Sequence, residues 1–348
     1  YTTFIRYLNI LKDVYSFLRD CESSALQQVC RDLARAYNKF FKEKRGHPKF
    51  KSKKNPKKSY RMQQQSSKNI KIDAKTLKLP KIPEKIKYKT SKEYREILQK
   101  SKINNLTIKY HNGKYYGIFN VELNIHALPK THKKVGIDLG MRTLATLSTG
   151  KKITNLDLSY EETMIKKYQK QMSRRKKGSK RYLKSQKKYW KWVDRKNNKK
   201  KDAYHKFTYN LVKKFDLICT EDLNIEGTRK NGKWASKLQR ITWGQLLEMI
   251  KYKTQWYGKK LIQADRFFPS SQICHKCGHQ YKALKMNETE WECPNCHSVH
   301  DRDVNASINL LNYGLGILGF VNPKFEGDSS VKTIYISILA RESSTSIG

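Results

Sequence analysis

Four cysteines form two tight pairs, Cys274-x2-Cys277 and Cys293-x2-Cys296, with fifteen residues between the pairs. Each pair can wrap two thiolates around one ion on a knuckle, and two knuckles complete the tetrahedron that Zn²⁺ prefers. Such a site has no open coordination position, so its expected role is structural or in nucleic-acid contact, not catalysis. Nearby His275, His279, His297 and His300 are surplus to four ligands and read as bystanders. The other three cysteines, Cys21, Cys30 and Cys219, sit in apolar patterns that suit core or near-core positions. Seven cysteines, an odd number with four in two pairs, fit metal better than disulfides.

The carboxylates that chemistry would place are Asp138, Glu221 and Asp303. Asp138 follows the apolar run VGI, and Glu221 ends the apolar run FDLICT, so both belong at the ends of buried strands. Asp303 lies at the start of a helix, where a carboxylate also serves as a cap. Each acid taken singly has a plain structural use. Together they fit a site for Mg²⁺, which takes carboxylate oxygens and keeps room for substrate phosphate. Two such ions about 4 Å apart orient an attacking water and stabilise a leaving oxygen in phosphodiester cleavage. VGIDLG also resembles the opening of actin-like ATPase clefts, but the second Asp-x-Gly phosphate loop of those proteins does not follow.

The elements that must position these residues are strongly basic. The chain of 348 residues carries 74 Lys plus Arg against 30 Asp plus Glu, a formal net charge of +44, which argues for a polyanionic partner. Hydrophobic residues at 37% suffice for one or two cores and exclude a wholly disordered basic tail. Residues 160–214 hold 21 Lys plus Arg against four acids with no proline, which predicts long basic helices. Within them Arg174, Arg175, Lys176, Lys177, Lys180 and Arg181 are interleaved with aromatics and are candidate phosphate contacts. Tyr182, Tyr189, Trp190 and Trp192 suit core packing better than base stacking.

Upstream, Leu26, Val29, Leu33, Ala36, Tyr37 and Phe40 keep to one helical face, predicting two or three helices before residue 41. Residues 42–89 read as short strands and basic loops, and 102–123 as a hairpin turning at Asn112-Gly113. After Lys133, VGIDLG, TLATLSTG and KKITNLDL read as strands of an α/β sheet, which resumes with FDLICT, a helix from Trp243 to Tyr257, and KKLIQAD. DRDVNASINLLNYG reads as a capped helix, and the tail beyond it carries no assignment.

In order, VGIDLG, SRRKKGSKRY, ICTEDLNIEG, DRFFPSSQICHKCG, WECPNC and HDRDVNASINLL resemble the TnpB (OrfB) proteins of bacterial insertion sequences. These are compact RNA-guided DNA endonucleases related to type V CRISPR effectors and Fanzor proteins. The resemblance runs from about residue 22 to 312. It implies an RNase H-like (RuvC) nuclease domain, α/β with α+β parts, split by basic helices and a zinc ribbon and preceded by a β-barrel (wedge) and helical recognition region. It implies a recognition region at 1–45, a wedge-like region at 46–133, RuvC parts at 134–159, 211–273 and 298–320, a basic helical insertion at 160–210, the ribbon at 274–297 and a tail at 321–348. Asp138, Glu221 and Asp303 would be the catalytic acids on two Mg²⁺, with one Zn²⁺ on the cysteines. Asp303 is taken over Asp301 because the family places its acid two residues before Asn, a choice the residues alone leave open. The implied partners are an omega-type guide RNA and double-stranded target DNA, with one protein copy per RNA. Base pairing would read sequence while the protein reads backbone shape and a short target-adjacent motif. Gln27, Gln28, Arg31, Lys39, Tyr60 and Arg61 resemble the part used near that motif. The strands that open the family's wedge are missing, and the chain starts at Tyr1, so a preceding segment is expected.

Two other functions share these features: a guided DNA-binding repressor, which would be expected to have lost one or more acids, and a transposition accessory protein that binds DNA through ribbon and basic helices. No run reaches the eighteen or more uninterrupted apolar residues of a membrane span and no signal-peptide series opens the chain, so a soluble protein of the cytoplasm, at the nucleoid if bacterial, is expected.

Overall fold

The computed structural model describes residues 2–44, 46–50, 58–64, 70–223, 242–285, 287–316 and 332–340, the last as backbone alone. The chain divides into two compact units, Tyr1–Asn124 with Val331–Gly348, and Ile125–Ser330.

In the first unit the helical spacing becomes α1 (Thr2–Val14), a 3-10 turn at Ser16–Arg19 and α2 (Ser23–Glu43). Glu22 caps α2, its carboxylate accepting the Ala25 N–H at 2.7 Å. Then come β1 (Lys58–Gln63), β2 (Lys71–Ile72), β3 (Thr76–Lys78), β4 (Ile86–Lys89), α3 (Lys92–Lys100), β5 (Ile103–His111) and β6 (Lys114–Leu123). Asn112 and Gly113 take φ of 53° and 78°, the two left-handed positions a type I′ hairpin needs between β5 and β6. The expected unassigned tail is corrected here: its alternation of Ile334, Ile336 and Ile338 suits a strand, and the last strand among the described residues, β14 (Lys332–Ala340), pairs with both β6 and β4. The antiparallel sheet runs β1-β5-β6-β14-β4-β3-β2, and among the described residues no pair joins its two edges. Its core is Met62, Leu79, Leu98, Leu106, Phe119 and Val121, none more than 1% exposed, each stabilising the unit by about 1.5–3 kcal/mol.

The second unit holds a five-stranded sheet of β7 (Lys134–Asp138), β8 (Thr143–Leu147), β9 (Lys152–Thr154), β10 (Leu217–Glu221) and β11 (Lys260–Ala264), ordered β11-β10-β7-β8-β9. The first three in that order are parallel, and β8 and β9 return antiparallel. Strand alternation sends Val135, Ile137 and Ile218 to a core shared with α5 (Lys180–Lys214) and α6 (Trp243–Trp256). The opposite face, with Cys219 and Ile262, receives α7 (Arg302–Gly314) through Leu310 and Tyr313.

The basic stretch is a helical hairpin of α4 (Ser159–Ser173) and α5. Glu161, 1% exposed on α4, accepts Arg195 at 3.2 Å and Lys199 at 2.5 Å, and Glu162 pairs with Lys196 at 3.0 Å. Two acids thus hold three of the helix's cations against mutual repulsion. At the start of β10, Asp216 ties adjoining segments together. It accepts Lys259 Nζ at 2.5 Å and the Thr131 and His132 N–H groups at 2.7 and 2.6 Å. Burial opposes its charge, but Lys259 and those N–H groups prevail and bring its carboxyl to about 2. No helix among the described residues is long and apolar enough to cross a membrane.

Candidate active site and metal centre

Because β7 and β10 run parallel, with Thr220 opposite Ile137, their C-terminal residues Asp138 and Glu221 emerge at the same edge of the sheet. Open sheets that contain parallel strands commonly bind ligands at this edge. The third acid comes from α7, and two glycines let that helix approach. A Cβ on Gly136 of β7 would lie 1.9 Å from the Ser307 carbonyl oxygen, and one on Gly314 of α7 would lie 2.0 Å from Cys219 Sγ. Backbone therefore lies against the sheet at both points, and the first turn of α7 brings Asp303 to the strand ends. All three acids line one cleft of about 1040 Å³.

Electrostatics in the cleft disfavour three bare charges. Burial, then the facing charges of Glu221 and Asp303, raise the Asp138 carboxyl well above its ordinary range. Burial also raises Glu221, although Ser270 and Arg302 pull the other way. Ser270 Oγ donates to Glu221 Oε1 at 2.8 Å and so fixes that carboxylate. An oxygen-only donor set whose members repel one another fits a hard divalent cation. The three acids do not close around one point as the cysteines do: among the described residues only the cysteine quartet brings three or more such ligands all within 4.8 Å.

Asp301 and Asp303 separate cleanly. Asp301, and not Asp303, caps α7, accepting the Val304 N–H at 3.0 Å, and it pairs with Lys152 at 2.6 Å. Partial burial opposes its charge, yet Lys152 and that N–H hold its carboxyl below the usual range. Asp303 lies in the cleft lining and Asp301 does not.

The cysteines assemble locally. Cys274 Sγ lies 3.7 Å from Cys296 Sγ, and Cys277 Sγ lies 3.6 Å from Cys293 Sγ. Four thiolates about 2.3 Å from a central Zn²⁺ would sit roughly 3.8 Å apart along each tetrahedral edge, so the quartet fits zinc. Each knuckle bends at the residue after its second cysteine, Gly278 with φ of 77° and His297 with φ of 56°. The ribbon's strands are β12 (Glu290–Glu292) and β13 (Val299–Asp301). The four histidines stay outside the quartet, although His300 Nε2 lies 3.0 Å from Cys274 Sγ and His275 bonds to Asn305. Cys219 is buried, as expected, with its thiol pushed up to about 12 by burial. Cys30 is half-buried, and Cys21 is exposed, contrary to expectation, because it lies in the turn before α2 and not on an apolar face.

Ribbon and cleft are joined through α7. Asn305 Nδ2 donates to the Ile273 carbonyl at 2.7 Å, and Asn309 Nδ2 donates to the carbonyls of Ile273 at 2.6 Å and Ser270 at 2.8 Å. Sequence reasoning passed over Ser270, Arg302, Asn309 and both glycines, and used Asn305 only as a marker for Asp303 without its bonds. The signal was present in two asparagines four apart on one helix face, in a PSS turn just before the first knuckle, and in single glycines within apolar runs.

The candidate nucleic-acid contacts are sorted by burial. Arg174, Lys176, Lys177, Lys180 and Arg181 are exposed around the α4–α5 turn. Arg175 instead braces that turn, donating to the Arg181 carbonyl at 2.7 Å and to Ser185 Oγ. In the first unit Lys39, Tyr60 and Arg61 are exposed and Gln27 is half-buried. Arg31 donates to Gln63 Oε1 at 2.7 Å. Gln28, expected at the nucleic acid, is only 3% exposed: it donates to Asp32 within α2 and accepts from Gln63 Nε2 of β1 at 3.2 Å, which ties the two elements together. Of the α5 aromatics expected in a core, Tyr182, Tyr189 and Trp192 are half-buried and Trp190 is exposed. Trp192 packs edge-on to the exposed Tyr160 of α4 at 5.3 Å, so these rings brace the helical hairpin at its surface and do not form a core.

Residues 243–310 match the family described as "Cas12f1-like, TNB domain", and residues 118–232 match OrfB_IS605, described as "Probable transposase". A Streptomyces pristinaespiralis protein named "Putative RNA-guided DNA endonuclease" is 34% identical over 301 residues, covering 86% of this chain and 73% of that protein. The Escherichia coli strain K12 protein named "Putative RNA-guided DNA endonuclease InsQ" is 27% identical, covering 87% of this chain and 77% of that one. A solved structure described as "Cryo-EM structure of the Cas12f1-sgRNA-target DNA complex" shares the fold with a TM-score of 0.51 at 14% identity, covering 83% of this chain and 70% of that one.

Proposed function

We propose that this chain, which belongs to the TnpB (OrfB) family, is an RNA-guided DNA endonuclease that hydrolyses target phosphodiester bonds at one RuvC site. The observation that carries the reading is the meeting of Asp138, Glu221 and Asp303, from three distant segments, in one cleft where burial and mutual repulsion call for cations. The sheet supports it, with three parallel strands followed by an antiparallel pair and acids at adjacent strand ends, as an RNase H-like core requires.

Asp138, Glu221 and Asp303 would hold two Mg²⁺, which when bound supply an activated water and charge stabilisation at the phosphate. The remaining work belongs to the chain itself. Ser270 orients Glu221, and Lys152 keeps Asp301 occupied as a helix cap so that Asp303 alone of the pair faces the cleft. The thiolates of Cys274, Cys277, Cys293 and Cys296 would hold one structural Zn²⁺ with no open position for chemistry. A +44 chain suits a guide RNA and double-stranded DNA, held by phosphate contacts at Arg174, Lys176, Lys177, Lys180 and Arg181. Gln27, Arg31, Lys39, Tyr60 and Arg61 would serve near a target-adjacent motif. One protein copy per RNA suffices for this scheme. A repressor that had lost cutting would not need this acid cluster, which favours the nuclease.

The test is to purify the protein from its native locus context, sequence any RNA that travels with it, and score cleavage of a matched plasmid with Mg²⁺. Cutting by wild type and none by Asp138→Ala is the expected result. Equal cutting by both forms removes the assignment, and a co-purified RNA with no cutting by either would favour a guided binder.

A further inference from the structure

Three lysines are buried among the described residues, Lys200, Lys253 and Lys259, at 5%, 6% and 8% exposure. The fold uses two of them. Lys253 Nζ donates to the His205 carbonyl at 2.7 Å and Thr208 Oγ1 at 2.8 Å, and Lys259 Nζ pairs with Asp216 and the Pro129 carbonyl. Lys200 differs. It lines the acid cleft from α5, and among the described residues no hydrogen bond or ion pair reaches its ammonium, although the Glu162 charge acts on it from nearby. The carboxylates around it are committed: Glu162 pairs with Lys196 at 3.0 Å, and Glu161 is taken by Arg195 and Lys199.

A second donor in the cleft is also without an acceptor. Trp243, at the start of α6, lines it, and its indole Nε1 is buried with no hydrogen-bond partner. A buried donor costs free energy unless paired, so the Trp243 indole N–H beside a lysine that lines the same cleft marks the place of an arriving acceptor. Asp138, Glu221 and Asp303 are reserved for cations in the reading above, on which this inference rests. The missing acceptor is therefore an anion from outside the chain, and lysine recognises phosphate as a point charge.

We propose that Lys200, assisted by Trp243, binds a non-bridging oxygen of a phosphate flanking the scissile one on the DNA strand being cut. The subsite holds the backbone in register with the acids. Burial and the neighbouring Lys196 lower the lysine's pKa, and an arriving phosphate opposes both effects.

The experiment uses the ribonucleoprotein with its co-purified RNA at saturating Mg²⁺ and follows single-turnover cutting of duplex targets. One methylphosphonate, a neutral linkage, is placed in turn at each phosphate flanking the cut. Lys200→Met should slow cutting of the natural target by roughly tenfold to a hundredfold, as for a lost hydrogen bond to a charged group. Target binding should be unchanged. At one flanking linkage the methylphosphonate should slow wild type by a similar factor and Lys200→Met no further. Lys200→Arg should recover most of the rate, and Trp243→Phe should show a smaller loss coupled to the same linkage. These two variants carry the test if Lys200→Met lowers the melting temperature. Wild-type cutting rates in the Lys200 variants, or losses that multiply at every linkage, overturn the subsite alone. Asp138→Ala runs in parallel: equal cutting by it and wild type, or none by either, overturns the nuclease reading and the subsite with it.

Discussion

The four thiolates of the ribbon come from one short segment, each pair turned by a single left-handed residue, and they meet within 4.8 Å. The three carboxylates of the cleft come from two strand ends and a helix start spread across the second unit, and they stand farther apart. One arrangement is written in local spacing, and the other depends on how α7 seats against the sheet at Gly136 and Gly314. The difference teaches where each site is fragile. Knuckles tolerate distant changes, since their backbone bonds run within the segment, as from Cys274 N–H to the His279 carbonyl. The acids depend on packing some distance from them, and Asn305 and Asn309 make the ribbon part of that packing.

The sharpest way to break the cleft and spare the ribbon is at α7's first turn. Asp303→Asn should lower cutting roughly a thousandfold, about 4 kcal/mol of barrier, in single-turnover assays with zinc content unchanged. Asp301→Asn should leave cutting within about tenfold and cost about 1 kcal/mol of stability through the weakened cap. Equal loss from both would dissolve the distinction drawn between them. Gly136→Ala pushes a methyl into the Ser307 carbonyl and should destabilise the second unit by about 3 kcal/mol in denaturant titrations while zinc stays bound.

Replacing Cys293 and Cys296 together with Ser breaks the comparison from the other side. Zinc should be lost, and cutting should fall roughly tenfold, because Asn305, Asn309 and Ser270 then support Glu221 less firmly. Retained metal and unchanged cutting would show the ribbon to be independent of the acids. The smallest effect is a pH control on the scaffold. Asp216 is held near 2 when folded, against about 3.9 unfolded, so its roughly 2 kcal/mol is present above pH 4 and lost as pH falls towards 2. Wild type and Asp216→Asn should differ by that amount near pH 6 and converge on acidification in urea melts.

What was legible in the sequence follows the same division. The cysteine spacing, the Asn112-Gly113 turn and the apolar strands around Asp138 and Glu221 depend on neighbours within a few residues, and the structure places them as read. Glycine's role at Gly136 was not legible, because its meaning lies in a helix that follows it by more than 160 residues. Asp301 and Asp303 look alike in sequence, and only Lys152, far upstream, tells them apart. Gln28 sits on a face that reads as solvent until Gln63 of β1 is laid against it. The tail carried a strand's alternation but no turn to name its partner.

That tail sets an order of events. Lys332 of β14 pairs with Leu123 of β6, so in chain order the whole second unit is inserted between two strands that pair directly. On the ribosome, all of the second unit emerges before the strand that completes the sheet begun ahead of it. β6 must keep one edge open through that interval, and pairing across so long a stretch of chain is slow. The unit begun first is therefore the one finished last, and a chain released short of residue 332 would carry a complete cleft and an unfinished sheet.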